Sequence, residues 1–411
     1  MTLQYRILPG RHCLLFARSL LIIVLCLQSA PQLVRAEPST PIDDNSAIEE
    51  LPETIDPQWR ELRSAARDLA AHPEDAVRAA QLAQRYLQLG RRNADPRLIG
   101  YAQAALRPWW TAASPPDTIL FLRASLKQTV HEFNAALLDL QSYLARPGLT
   151  GGARAQGLLT RSTVLGVIGR TAEAAQDCRT LAGYVDRATS FLCSAQIDAL
   201  GPKARTTLAA LEVYFRQGGF SSDPAIRIWG DGILGDLAAR LGESGLAERA
   251  YRAALKDDPE DSFILAGYAD FLLDQNRAAE VRSLLQPFLR ADGLLLRHAI
   301  ALKLLNDGAL RAETDQIGQR FAAARERGDQ THKREESRYT LQLRGDAASA
   351  LKLAQANWLV QREPADVRVL AEAAEATRDA VEQARVRDWL HTTGLLDQSS
   401  SALRKLAAAG A

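Results

Sequence analysis

A helix-turn-helix pattern returns roughly every 34 residues from about Ala76 into the C-terminal region, and this constrains the chain more than any other feature. Repeat starts fall near Ala76, Asp117, Ala155, Thr189, Ile228, Ser262, Leu296, Thr331 and Ala365, 34 to 41 residues apart. The longer spacings coincide with insertions at Arg91 to Asp95, Gly148 to Gly152 and Gly218 to Pro224, which belong in loops. Several copies carry a small residue at the eighth position (Ala83, Ala124, Gly235, Ala269) or the twentieth (Ala136, Ala174, Ala247, Ala350, Ala384). Four copies depart at the eighth, with Gln196, Lys303, Arg338 and Glu372. A generic bundle of alanine-rich amphipathic helices would bury similar apolar residues, but it would not require the spacing to recur. A stack grown one hairpin at a time, each packing on its neighbours, does require it.

The clearest copy, Ile228 to Asp261, has Leu234-Gly235 in a first helix and Gly242 near the turn. Ala247, Tyr251 and Ala254 follow along a second helix, and Pro259 stands just beyond it. That order resembles the tetratricopeptide repeat, and the resemblance covers about four-fifths of the chain. It implies an all-α fold, a right-handed solenoid of stacked antiparallel helix hairpins. In that family the two helices of a hairpin approach through small residues, here Gly235 and Ala247. An aromatic, here Tyr251, fills the space between hairpins, and proline ends the unit. Composition agrees: apolar residues are ample, aromatics make up 6%, and no alternating β-branched run suggests a sheet.

Residues 1–36 stand outside the repeats and read as a secretory signal. Arg6, Arg11 and Arg18 precede the apolar stretch Leu20 to Leu27, Pro31 breaks it, and Val34-Arg35-Ala36 places small residues where a signal peptidase reads. The apolar stretch is far shorter than the ~20 residues needed to cross a bilayer. Leu25 before Cys26 argues against lipidation, because bacterial lipoprotein signals resemble one another in having a small residue there. Export, to a periplasm in a bacterium, is the expectation, with no transmembrane segment in the mature chain. Residues 37–58 form an acidic leader rich in proline and lacking lysine and arginine, which keeps it extended. An N-terminal helix follows over 59–75, the repeats fill 76–398, and 399–411 read as a tail. Without its signal the chain has 46 basic against 49 acidic residues, which gives no electrostatic case for nucleic acid.

Cys13 and Cys26 leave with the signal. Cys178 and Cys193 remain, nearly equidistant from a turn around Tyr184 to Ala188 and so level on antiparallel neighbouring helices. An exported compartment permits a disulfide between them, and two buried free thiols are the alternative.

Signs of catalysis are missing from the sequence. His12, His72, His131, His298, His332 and His391 are scattered without metal-ligand spacing, and neither a phosphate-cradling glycine loop nor a nucleophile elbow is present. The expectation is no enzyme activity, no cofactor and no metal. The resemblance implies instead that the first helix of each hairpin lines a concave groove. Carried over, that relation places Phe121, Gln128, Trp229, Asp236, Arg240, Phe263, Asp270 and Asp274 in it. Such a surface suits a peptide or helix of a protein partner, aromatics supplying buried area and charges setting register. Trp229 and Phe263 can equally be packing residues between hairpins. The function implied is a scaffold for assembly or export of an envelope complex. A glycan or small-ligand binding protein and an accessory subunit of an enzyme complex are the alternatives.

Overall fold

A computed structural model of the chain describes residues 57–409, apart from 94, 219, 327, 329 and 330. The signal segment 1–36 and nearly all of the leader lie outside the described residues. The described part is helical with no strand among its residues. It opens with α1 (Pro57–Ala71), which begins two residues earlier than the sequence suggested because Pro57 tolerates the first turn, where its missing N–H is not needed.

Nine hairpins follow. The first four are α2 (Ala76–Asn93) with α3 (Pro96–Ala105), α4 (Asp117–Thr129) with α5 (Phe133–Leu144), α6 (Gly151–Val167) with α7 (Thr171–Leu181), and α8 (Arg187–Asp198) with α9 (Ala204–Arg216). Next come α10 (Pro224–Arg240) with α11 (Ser244–Asp257), α12 (Ser262–Asp274) with α13 (Ala278–Leu285), and α14 (Asp292–Leu304) with α15 (Leu310–Glu326). The last two are α16 (Lys333–Gln342) with α17 (Ala347–Trp358) and α18 (Pro364–Thr377) with α19 (Ala380–Thr393). Every first helix packs on the first helix of the next hairpin, so the nine make one continuous row. The expected tail is in fact a helix, α20 (Ser401–Ala408), whose Ala402, Leu403 and Leu406 are buried against the last hairpin.

Local chemistry sets the ends of these helices. Asp186, Asp223, Asp261 and Asp379 accept bonds from backbone N–H groups of the first turns of α8, α10, α12 and α19, satisfying donors that have no intrahelical partner. Between the helices of most hairpins the chain reverses through a left-handed residue. His131, Gly169, Gly242, Asn276 and Gly345 all have positive φ, and each is the fifteenth residue of its copy. Glycine and asparagine adopt that conformation with least strain.

Packing repeats as well. A Cβ at Gly235 would lie 2.9 Å from the ring of Tyr251, and one at Gly267 would lie 3.1 Å from it. The tyrosine thus sits between the first helices of two successive hairpins. Ala247, one turn earlier on α11, is fully buried. The largest apolar core extends from Leu192 to Phe321, through α8 to α15, and separate cores hold α1–α4 and α17–α20. Cys178 and Cys193 are bonded, with Cα atoms 5.5 Å apart, and tie α7 to α8. Closing a loop of 15 residues in this way stabilises the fold by roughly 3 kcal/mol.

Candidate interaction face

The first helices of the last five hairpins, α10, α12, α14, α16 and α18, converge on one cavity of about 110 Å³. Six carboxylates (Asp236, Asp270, Asp274, Glu335, Glu372, Asp397) and five guanidinium groups (Arg240, Arg297, Arg334, Arg338, Arg368) stand around it. They are joined in a network. Asp270 receives Arg297 on one oxygen and Arg338 on the other, both at 2.6 Å. One turn along α12, Asp274 receives both terminal nitrogens of Arg368 at 2.7 Å, and Nε of Arg368 binds Glu372 at 2.8 Å. Two parallel bonds between a planar guanidinium and a carboxylate fix orientation as well as charge.

Arg240 is the other fixed point. Its side chain, 6% exposed, donates to Asp236 (3.2 Å), to the carbonyl of Ala199 (3.2 Å) and to the carbonyl of Leu396 (3.1 Å). Its own carbonyl accepts from the backbone of Gln398 at 2.7 Å. One residue of the fifth hairpin therefore holds the fourth hairpin and the segment leading to α20.

This is part of a longer closure of the stack on itself. Beside the turn at His131, Phe133 packs in a cluster that Val360 of the returning chain joins, and the charges of Arg334, Glu335 and Asp366 act on the His131 ring. Val167 accepts a backbone bond from Arg362 at 2.8 Å, and Trp389 lies over Gly169, where a Cβ would approach its ring to 2.8 Å. Gly394 packs on Pro202, and Gln398 approaches Gly242. The turns of hairpins two to five thus meet the end of the chain in order. Arg362, between the rings of Trp358 and Trp389 at 5.6 and 5.4 Å, fills the middle of this seam.

Electrostatics follows from burial and pairing. Burial opposes ionisation of Asp270, but Arg297 and Arg338 outweigh it and hold the carboxyl far below the usual carboxylate range. At Asp274 burial prevails over Arg368, and the carboxyl is pushed up. Burial also pushes up Asp397, against the pull of Arg240. Arg368, though buried, is held well above its ordinary value by Glu372 and Asp274.

The residues expected to line a groove therefore divide. Asp236, Arg240, Asp270 and Asp274 do line one cavity, yet they are engaged by the chain's own arginines and backbone. Trp229 is partly buried against two of the apolar cores, with its indole N–H bonded to Gln196 at 2.7 Å, as a packing residue would be. Phe263 is the opposite, 78% exposed at the start of α12. Phe121 is partly buried among Ala124, Phe133, Leu140 and Val164, where Val360 of the returning chain also packs. Gln128, near the end of α4, is partly buried and is brought to none of the others.

Arg240 apart, the cations of the network escaped the sequence reading, although a signal was there. The four residues that broke the small eighth position all have partners on other helices: Gln196 with Trp229, Lys303 with the carbonyl of Gln342, Arg338 with Asp270, and Glu372 with the side-chain amide of Gln342. A departure from the repeat marked a long-range partner.

No family model matches the chain, and a search of curated proteins finds no match. Solved structures similar to it include the APC/C hetero-tetramer Cut9–Hcn1, with 12% identity over 86% of this chain and 83% of that one and a TM-score of 0.37. The P58(IPK) TPR domain (13% identity, 72% and 99% covered, TM-score 0.20) and Naa15/Naa10 bound to HypK-THB (13%, 86% and 62%, 0.23) are also similar. The continuous row of first helices, with the tyrosine seated between the glycines of two of them, makes this an all-α solenoid of stacked antiparallel hairpins.

Proposed function

We propose that the protein is a non-enzymatic scaffold, exported through its N-terminal segment, that binds another protein along the row of first helices in the assembly or export of an envelope complex. The observation that carries this reading is Phe263, a large apolar ring left in solvent on the same helix that presents Asp270 and Asp274 to the cavity. An exposed aromatic beside fixed charge is the usual anchor of a protein interface. The buried Cys178–Cys193 bond suits an oxidising compartment and supports export.

The test is cross-linking of the tagged mature chain in its native envelope, wild type against a Phe263→Ser, Asp236→Ala variant. Both side chains are exposed, so the variant keeps its fold. Loss of a defined partner from the variant supports the scaffold reading; equal capture by both chains removes this face from it, and no capture by either removes the scaffold. One observation favours a second reading, a small polar ligand: the charged residues are gathered around one cavity rather than spread along a groove. A rise in melting temperature with a library of small zwitterions, in a chain that captures no protein, would decide for it.

A further inference from the structure

The closure across the inner face is built largely from charge, whereas each half is built from hydrocarbon. One apolar core holds α8 to α15, and another holds α17 to α20. Across the face they are joined chiefly by Asp270 with Arg338, Asp274 with Arg368, and the hold of Arg240 on Leu396 and Gln398. Leu396 and Tyr339 add partly buried apolar contact, and Trp389 and Val360 pack at one edge of the seam. Polar contacts between parts of one chain resemble transient protein interfaces and permit relative movement.

The face being covered has a definite chemistry. Asp270 and Asp274 are four residues apart and lie on one side of α12. In this structure each accepts a guanidinium from a helix that is not its neighbour in the row: Arg338 of α16 and Arg368 of α18. Side-chain exposures of 12% to 24% at these four residues show that the charges are largely shielded while the seam is shut. An incoming helix that brought no cation would leave Asp274 without its cation and Asp270 with Arg297 alone, both poorly solvated. One carrying arginines would replace each broken pair with an equivalent one, so its remaining contacts would decide the equilibrium.

We propose that α16 to α20 are a built-in occupant of the acidic face of α12, and that the scaffold's partner is an arginine-bearing helix that displaces Arg338 and Arg368 from Asp270 and Asp274. This rests on the scaffold reading and names both its partner class and its regulation. The closed chain is the resting form, and partner binding and opening are one event.

The experiment places spin labels on the full mature chain at Leu138→Cys on α5 and Val381→Cys on α19, positions 65% and 72% exposed. Dipolar spectroscopy then reads their separation. The probes are the 14-residue peptide of α18 and its Arg368→Ala counterpart, added to the otherwise unaltered chain. A second arm adds Asp270→Asn and Asp274→Asn, with helical content checked by circular dichroism. We expect one distance in the parent, a longer population with the arginine peptide at least fivefold larger than with the alanine peptide, and spontaneous opening in the variant. The proposal is overturned by equal action of the two peptides, or by a distance that neither peptide nor substitution moves. If the labels stay together while a partner is captured from the envelope, the scaffold reading stands and this closure is permanent architecture. If the arginine peptide separates them but no partner is captured, the acidic face stands and the scaffold reading falls.

Discussion

Two sets of buried ion pairs hold this molecule, and they differ in how far apart their members stand in the chain. In the second and third hairpins, Arg123 binds Asp139 and Arg161 binds Asp177, each pair 16 residues apart and each bridging the two helices of one hairpin. The two pairs occupy the same positions of successive repeats, so they are a repeat feature. At the inner face, Asp270 binds Arg338 across 68 residues and Asp274 binds Arg368 across 94. The first kind fixes a hairpin as it forms; the second forms only when the whole stack has curled round. Local pairs thus belong to the unit, and distant ones to the shape.

If that distinction is right, removing a local pair should damage stability most. Asp139 accepts both Arg123, 7% exposed, and Lys127, and Arg123 also binds the carbonyls of Trp109, Trp110 and Ala112. Asp139→Ala strands two buried cations, and unfolding by urea should show a loss of about 4 kcal/mol with an unchanged m-value. A loss below about 1 kcal/mol would show that the local pair is no more than a surface bridge.

Asp270→Asn should be milder, on the order of 2 kcal/mol, because its side chain is 24% exposed and the stranded arginines can reach water once the seam loosens. Its signature should be mechanical. Protection of amides in α18 and α19 against hydrogen exchange should fall by about tenfold while α10 and α11 keep theirs. Uniform loss across both regions would mean that the inner-face pairs belong to one cooperative core, and the contrast between the two sets would dissolve.

Most of the stack was legible because its cause is periodic. The starts inferred at Ala76, Asp117, Ser262 and Ala365 fall within one residue of the helices that begin at Ala76, Asp117, Ser262 and Pro364, since apolar spacing and turn residues recur with the unit. Where helices start four residues early, as at Gly151, Pro224 and Asp292, an added N-terminal turn precedes the repeat pattern, set off by the cap at Thr150 or Asp223 in the first two cases. The curl that brings α18 onto α12 has no such period. It accumulates from small rotations between neighbours, and its residues appear in the sequence only as exceptions to the repeat. For the same reason Asp270 and Asp274 could be placed on the inner face by carrying over the resemblance, while the arginines that answer them could not.

A third kind of buried carboxylate sharpens the contrast, because it has no cation of its own. Asp231 on α10 is 5% exposed and has one oxygen without a partner, and the nearby Arg227 is bound to Asp257. Burial, helped by the charge of Asp257, raises its pKa to about 7. The folded chain therefore holds a proton between about pH 4 and pH 7 that the unfolded chain has released, and this group's contribution to stability falls as pH rises through that window. The full effect is up to about 4 kcal/mol by the pKa difference. Asp231→Asn removes the ionisation but leaves a buried amide with poor partners, which returns roughly half of that. The variant should thus be more stable than wild type by on the order of 2 kcal/mol at pH 8 and less stable by about as much at pH 4, as read from paired urea titrations. Equal gains at both pH values would mean that Asp231 is neutral throughout and packs as an ordinary polar residue. A loss at pH 8 would mean that its charge is answered by a cation after all, which would move it into the class of Asp139.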